Sequence, residues 1–240
     1  MEMKKLIKQN RIIIYGFNQF AKQIAITLRK KLYRVFIIEN NLKLLNEAKE
    51  MGFTTKNISL MDDQGILEAG INHPRVKAFF CLGANHNKNL FIILSVRNLN
   101  KNIKIIAVSA NNDNDKAIFL AGANKVINPS EIGALRIVKL LHKPLLLNVL
   151  DELLFQDSDI DVEEITIEPN TIFDGVYLED LKIIKNRDII ILGIQDKELS
   201  DKFIFFSTGI NHKIDAGDTL VLLGHFDDLT KFRRMANHLV

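Results

Sequence analysis

The sequence predicts an α/β protein: a doubly wound parallel sheet, then a helix-turn-helix crossover and a small α+β C-terminal lobe. Three observations predict it. Over the first 128 residues, short β-branched apolar runs alternate with amphipathic stretches; a Pro-bounded, Leu-rich segment follows; and beyond residue 161 the pattern changes to short strands separated by Gly-containing turns.

Strands are expected at 11–15, 34–38, 54–58, 77–82, 103–108 and 125–127, with helical patterns at 18–31, 41–51, 63–70, 86–98 and 113–121. Runs that are apolar on both faces and alternate with helices imply a parallel sheet covered on both sides. Right-handed crossovers then place helices on both faces of a first domain, 1–128, built in the Rossmann-like manner. In the crossover and linker, 129–160, Pro129-Ser130-Glu131 reads as a helix start with Ser130 as cap, and the helix runs to about His142. Pro144 ends it, and 145–154 forms a second apolar helix. This pair carries more Leu than a solvated connection should, so its apolar faces pack either on the chain's own core or on a second copy. Gln156-Asp157-Ser158-Asp159-Ile160-Asp161 alternates aspartates but lacks the glycine and distal glutamate of a calcium loop, and reads as a solvated linker. The third region, 161–240, predicts strands at 164–167, 189–194, 202–206 and 219–223 and a helix over 227–239.

Composition narrows the function. The 240 residues are 47% hydrophobic and 25% charged, which suits an ordinary globular chain with a full core. A net charge of +3, with basic residues scattered in short clusters such as Arg29-Lys30-Lys31, argues against nucleic acid. No apolar run reaches membrane-span length, so direct membrane insertion of this segment is not expected, and the N-terminus lacks the apolar core of a secretory signal. The single cysteine, Cys81, lies in the apolar run 78–82 and reads as a core residue; no intrachain disulfide can form. The six histidines have no metal-ligand spacing and no nucleophile elbow is present, so neither a metal site nor a catalytic set is expected. His86 lies past the fourth strand, at the sheet edge where ligands of such folds bind.

The motif that carries chemistry follows the first strand: Gly16-Phe17-Asn18-Gln19-Phe20-Ala21 opens a helix. In the dinucleotide fingerprint the first glycine allows a tight turn, the second lets backbone approach the pyrophosphate, and the third position permits close helix–strand packing. Gly16 and Ala21 fill the first and third positions; Asn18 stands at the second, where its side chain is expected to intrude on a phosphate. Glu39, 23 positions after Gly16, ends the second strand where a carboxylate would accept hydrogen bonds from both ribose hydroxyls.

Together with Ile66-Leu67-Glu68-Ala69-Gly70-Ile71, Gly83-Ala84-Asn85, Asn89, Arg97, the block Ala121-Gly122-Ala123-Asn124-Lys125-Val126-Ile127-Asn128-Pro129, Ile172-Phe173-Asp174-Gly175 and Ala216-Gly217-Asp218 through Gly224, these residues give a chain that resembles the regulator of potassium conductance (RCK, or KTN) family over almost its whole length. The resemblance implies a cytoplasmic ligand-sensing domain at the inner face of the cell membrane. It would gate a potassium channel or transporter pore, on the same chain or a separate one, through a homodimer assembling into a higher ring, an octamer. It implies an adenine nucleotide or NAD(H) as ligand, held by Gly16, Asn18, Gln19, Ala21, Glu39, Ser59, Gly83 and Asn85, and no catalysis. The chain departs from the family's nucleotide binders at Asn18 and Gln19, which replace a glycine and a basic residue, and at Ile58-Ser59. The carboxylates of calcium-activated relatives are replaced by Ser59, Val108 and Ala110. Two other readings remain: a nicotinamide-dependent oxidoreductase with a small substrate domain, and a structural ring whose nucleotide site has decayed.

Overall fold

The computed structural model describes residues 10–58, 63–110, 115–155, 159–181, 188–198, 203–206 and 211–237. The chain divides into two compact units, 1–137 and 138–240. In the first, strands β1 (Arg11–Tyr15), β2 (Arg34–Glu39), β3 (Thr54–Asn57), β4 (Val76–Cys81), β5 (Lys104–Val108) and β6 (Lys125–Ile127) form one parallel sheet in the order β3-β2-β1-β4-β5-β6. Helices α1 (Gln19–Lys30), α2 (Leu42–Glu50), α3 (Gln64–Glu68), α4 (His86–Leu99) and α5 (Asp115–Leu120) lie between the strands in sequence. The parallel, doubly wound arrangement is the predicted one.

The apolar-on-both-faces pattern of the strands has its cause in two cores. One face of the sheet packs Ile13, Tyr15, Phe79 and Ile105 with Ile92, Ile93 and Val96 of α4. The other packs Ile12, Ile14 and Ile37 with Ala21 and Ala25 of α1 and Ala48 of α2. Alanine at those helix positions lets the helix backbone approach the sheet. Order reverses between β1 and β4, which pair directly in the middle of the sheet, and a crevice lies at their carboxyl ends.

The block 121–129 has a structural explanation. Gly122 adopts φ +114°, and a β-carbon there would fall 2.8 Å from Cγ of Arg97. The Arg97 guanidinium donates to the carbonyl of Gly122 through Nε at 3.1 Å and Nη2 at 2.8 Å, and Nη2 also reaches Asn124 Oδ1 at 2.9 Å. Asn124 Oδ1 in turn accepts from the amide of Ile105 at 2.7 Å. One arginine thus ties the end of α4 to the turn that feeds edge strand β6.

Helices α6 (Pro129–His142) and α7 (Pro144–Phe155) follow, parted by Lys143 as the prolines require. No residue of α6 is buried, and Leu135, Leu141, Leu145 and Leu146 are all exposed, so of the two partners offered for these apolar faces the chain's own core does not cover α6.

The second unit carries an antiparallel sheet of β7 (Ile160–Thr166), β8 (Ile189–Gln195), β9 (Phe203–Phe205) and β10 (Thr219–His225), ordered β7-β10-β8-β9, with helix α8 (Phe226–Asn237). Its core centres on Phe173 and Phe232, stacked with centroids 4.6 Å apart. Asp218, of the Ala-Gly-Asp turn, is buried and accepts from the amides of Lys197 at 3.0 Å and Asp215 at 2.9 Å. Two sequence expectations are corrected. Ser130 lies inside α6, and it is Asn128 that caps the helix, its Oδ1 accepting from the Glu131 amide at 3.2 Å. β7 begins at Ile160, inside the stretch read as linker, because β10 supplies antiparallel partners as far as His225↔Ile160 and Gly224↔Asp161. Residues 156–158 of that linker, Lys202 of the predicted fourth strand and the end of the last helix lie outside the described residues. Among the described residues no helix is long and apolar enough to cross a membrane.

Replacing Arg97 with Ala leaves the Gly122 carbonyl without its charged donors. A loss of about 2 kcal/mol is expected, since hydrogen bonds from charged groups contribute about 1.5–3 kcal/mol, and urea denaturation monitored in the first unit measures it.

Candidate functional site

The crevice at the β1/β4 reversal is built by close backbone approach. Gly16 follows β1 with φ +92°, and a β-carbon on it would sit 2.8 Å from both Cα and N of Gly83. Gly83 is equally constrained: its own β-carbon would meet Asn89 Oδ1 at 2.5 Å and the Tyr15 ring at 2.7 Å. The carbonyl of Gly83 accepts from Asn89 Nδ2 at 2.8 Å, fixing the loop after β4 to α4. These two glycines therefore let the loops after β1 and β4 touch.

Asn18 lines the cleft, and its side chain is engaged at both ends: Oδ1 caps α1 by accepting from the Ala21 amide at 2.9 Å, and Nδ2 donates to the Leu82 carbonyl at 2.8 Å. Asparagine at the second fingerprint position thus clips the first loop to the end of β4. The amides of Gln19 and Phe20, in the first turn of α1, belong to the set that a helix leaves unsatisfied and that anions use.

Glu39 is the other anchor. It is 5% exposed, and its carboxylate accepts three main-chain hydrogen bonds: Oε2 from Phe17 N at 3.0 Å, and Oε1 from Asn40 N at 2.8 Å and Asn41 N at 3.0 Å. The side chain thereby joins the loop after β1 to the loop after β2. A carboxylate offers about four lone-pair positions. Three are occupied here, and the remaining acceptor capacity lies on Oε2.

A cleft of about 170 Å³ opens above these groups, lined among others by Gly16, Asn18, Glu39, Gly83, Asn85 and Lys88. Asn85 caps α4 through the Lys88 amide at 3.0 Å. A second, open cavity of about 260 Å³ shares Asn18, Gly83 and Ala84 with the first and extends to His86, Ser109 and Ser130. Burial pushes the Tyr15 phenol upward, and the nearby Cys81 and Glu39 add to the shift; burial likewise pushes the Cys81 thiol up. Neither group ionises near neutral pH, and Cys81 is therefore a poor nucleophile.

The structure gathers Gly16, Asn18, Glu39, Gly83 and Asn85 around one cleft. Ala21 is fully buried beneath it, where its small size permits the approach of α1 to the sheet. Gln19 is exposed and is not part of the lining. Ser59 lies outside the described residues. Sequence reasoning missed the amides of Asn40 and Asn41, although Asn41 carries a helix-start signal before Leu42, and it missed Lys88 altogether. Among the described residues no group of three or more His, Cys, Asp or Glu side chains could hold a metal ion.

The TrkA-N domain matches residues 12–129 and the TrkA-C domain matches residues 162–237. The chain belongs to the RCK family. This RCK chain is 27% identical over 234 residues to potassium channel protein 1 of Methanocaldococcus jannaschii, covering 97% of this chain and 68% of that protein. It is 25% identical to probable potassium channel protein 2 of the same organism, covering 81% of this chain and 59% of that one. In fold, the first unit matches the TrkA-N domain of the inner membrane protein ybaL from Escherichia coli (TM-score 0.51, 21% identity, 55% of this chain and 96% of that one). It also matches the NAD(P)-binding domain of an exopolyphosphatase-related protein from Archaeoglobus fulgidus (TM-score 0.50, 16% identity, 55% of this chain and 97% of that one). These structures share the Rossmann-like fold of the first unit of this RCK chain.

Because Glu39 satisfies three amides in two loops, Glu39→Ala is expected to destabilise the first unit by about 3 kcal/mol even without ligand. Chemical denaturation of the ligand-free protein measures this, and an unchanged midpoint would show that the three bonds contribute nothing net.

Proposed function

We propose that this RCK chain is a regulatory domain that senses an adenine nucleotide or NAD(H) and biases the opening of a potassium channel or transporter pore. The observation that carries the reading is that one chain holds both TrkA lobes, with the first lobe presenting a cleft at the β1/β4 reversal that offers helix-terminal amides beside a buried acceptor. The adenosine end lies toward Glu39, one ribose hydroxyl donates to the remaining lone pair of Oε2, and phosphate lies at the N-terminus of α1. The second cavity has room for the other half of a dinucleotide. Ligand acts by binding one geometry of the assembly better than another, and the domain itself carries out no reaction.

The exposed apolar faces of α6 and α7 supply the means of assembly. Their leucines, left to water, would favour aggregation; in the proposed homodimer a second copy covers them, and dimers associate further into a ring at the inner face of the membrane.

Three measurements test this. Calorimetry with ADP and with NAD(H) is expected to give saturable heat; none from either on folded protein would favour a structural ring with a decayed site. Light scattering at micromolar concentration is expected to show a dimer or larger species, with an interface above about 1,000 Å² in total, and a monodisperse monomer would refute the assembly. Potassium flux through the cognate pore in liposomes is expected to respond to ligand by about 5- to 150-fold, the range of useful coupling energies. A flux indifferent to the domain and its ligand would end the regulatory reading, and turnover of a nicotinamide cofactor would replace it with the oxidoreductase.

A further inference from the structure

The nucleotide cleft has no cation in its first loop, because Gln19 is exposed and takes no part in the lining. A phosphate at the start of α1 would meet amides alone there. One cationic side chain does line the cleft, and it comes from a different element: Lys88, half-buried, in the first turn of α4. We propose that Lys88 is the phosphate-binding residue of this site, so that the domain selects adenine nucleotides that carry phosphate over the nucleoside. The proposal rests on the nucleotide reading given above and adds to it the residue that sets ligand charge.

Charge bookkeeping around the cleft favours this assignment. The other titratable groups in the lining are Tyr15, whose burial keeps it neutral, and Glu39, whose carboxylate is already held by three amides. No ion pair joins Lys88 to Glu39 or to any other carboxylate among the described residues. Lys88 stands three residues after the Asn85 cap, and the first turn of α4 carries no acidic side chain. A cation at this position opposes the helix dipole. An anion in the cleft removes that conflict, because it meets the ammonium together with the amides at the start of α1. Gly16 and Asn18, which form the first loop, line the same cleft as Lys88, so a phosphate at the start of α1 shares that cleft with the cation. Glu39 remains beside the ribose, so the two opposite charges read the two ends of one ligand.

The test compares ADP and adenosine by calorimetry on the full chain, as wild type, Lys88→Gln, Lys88→Met and Lys88→Arg, with folding of each variant checked by circular dichroism. Wild type is expected to bind ADP at least about tenfold more tightly than adenosine, in keeping with a charge-assisted bond. Either neutral variant is expected to lose about 10- to 100-fold in ADP affinity and nothing in adenosine affinity. It should also show a weaker dependence of ADP binding on salt, and Lys88→Arg should retain most of the ADP affinity. A folded neutral variant whose ADP affinity stays within about twofold of wild type would overturn the role of Lys88 while leaving the nucleotide site standing. Equal wild-type affinities for ADP and adenosine would do the same. Absence of heat from ADP, adenosine and NAD alike would overturn the nucleotide reading itself, and this proposal with it.

Discussion

A carboxylate held by three main-chain amides is the interaction on which the cleft depends. Glu39 is buried where an isolated charge would be costly, and the cost is met by bonds to Phe17, Asn40 and Asn41. Those residues belong to separate βα connections, so the side chain fixes the spacing of the loops after β1 and β2. It also consumes most of its own acceptor capacity. Glu39 is therefore a brace in its own right, and any loss of ligand affinity in a Glu39 variant would have a structural source that a stability measurement separates from the loss of a ligand contact.

A second brace works across the reversal. Gly16 and Gly83 bring main chain against main chain, while Asn18 closes the gap with one hydrogen bond to its own helix and one to Leu82. A glycine at position 18 would free the approach to the first turn of α1 but would lose both bonds. The chain has taken the more rigid solution. With the loop amides fixed in advance, a ligand seated on them would need little further ordering of the chain.

The sequence made the parallel sheet legible because burial on both faces removes polar residues from the strands, as in Ile12-Ile13-Ile14 and Phe36-Ile37-Ile38. The start of β7 was not legible, since Ile160-Asp161 stands in an aspartate-rich stretch and becomes strand through pairing with β10, more than sixty residues later. Gly16 and Glu39 were readable from spacing, whereas the use Glu39 makes of its oxygens was not: its partners are main-chain amides, which carry no sequence signature. The cap and clip made by Asn18 were not legible either, because they depend on where the fold puts the Ala21 amide and the Leu82 carbonyl. Lys88 escaped notice for a related reason. A single lysine after Asn85-His86-Asn87 looks like any solvated helix residue until the fold brings the start of α4 beside that of α1.

The place of β1 in the sheet bears on how the chain is made. β1 lies between β2 and β4 and pairs with both along its length, from Arg11↔Arg34 and Arg11↔Val76 up to Tyr15↔Ile38 and Tyr15↔Cys81. On a ribosome adding about 5–20 residues per second, β2 emerges within seconds of β1, but β4 follows only after both intervening helices and β3. Throughout that interval one edge of the Ile12-Ile13-Ile14 strand has no native neighbour, and an apolar strand edge is what pairs wrongly with other chains. The nascent domain thus passes through a period of seconds in which its central strand carries an unpaired edge, a hazard the finished sheet no longer has.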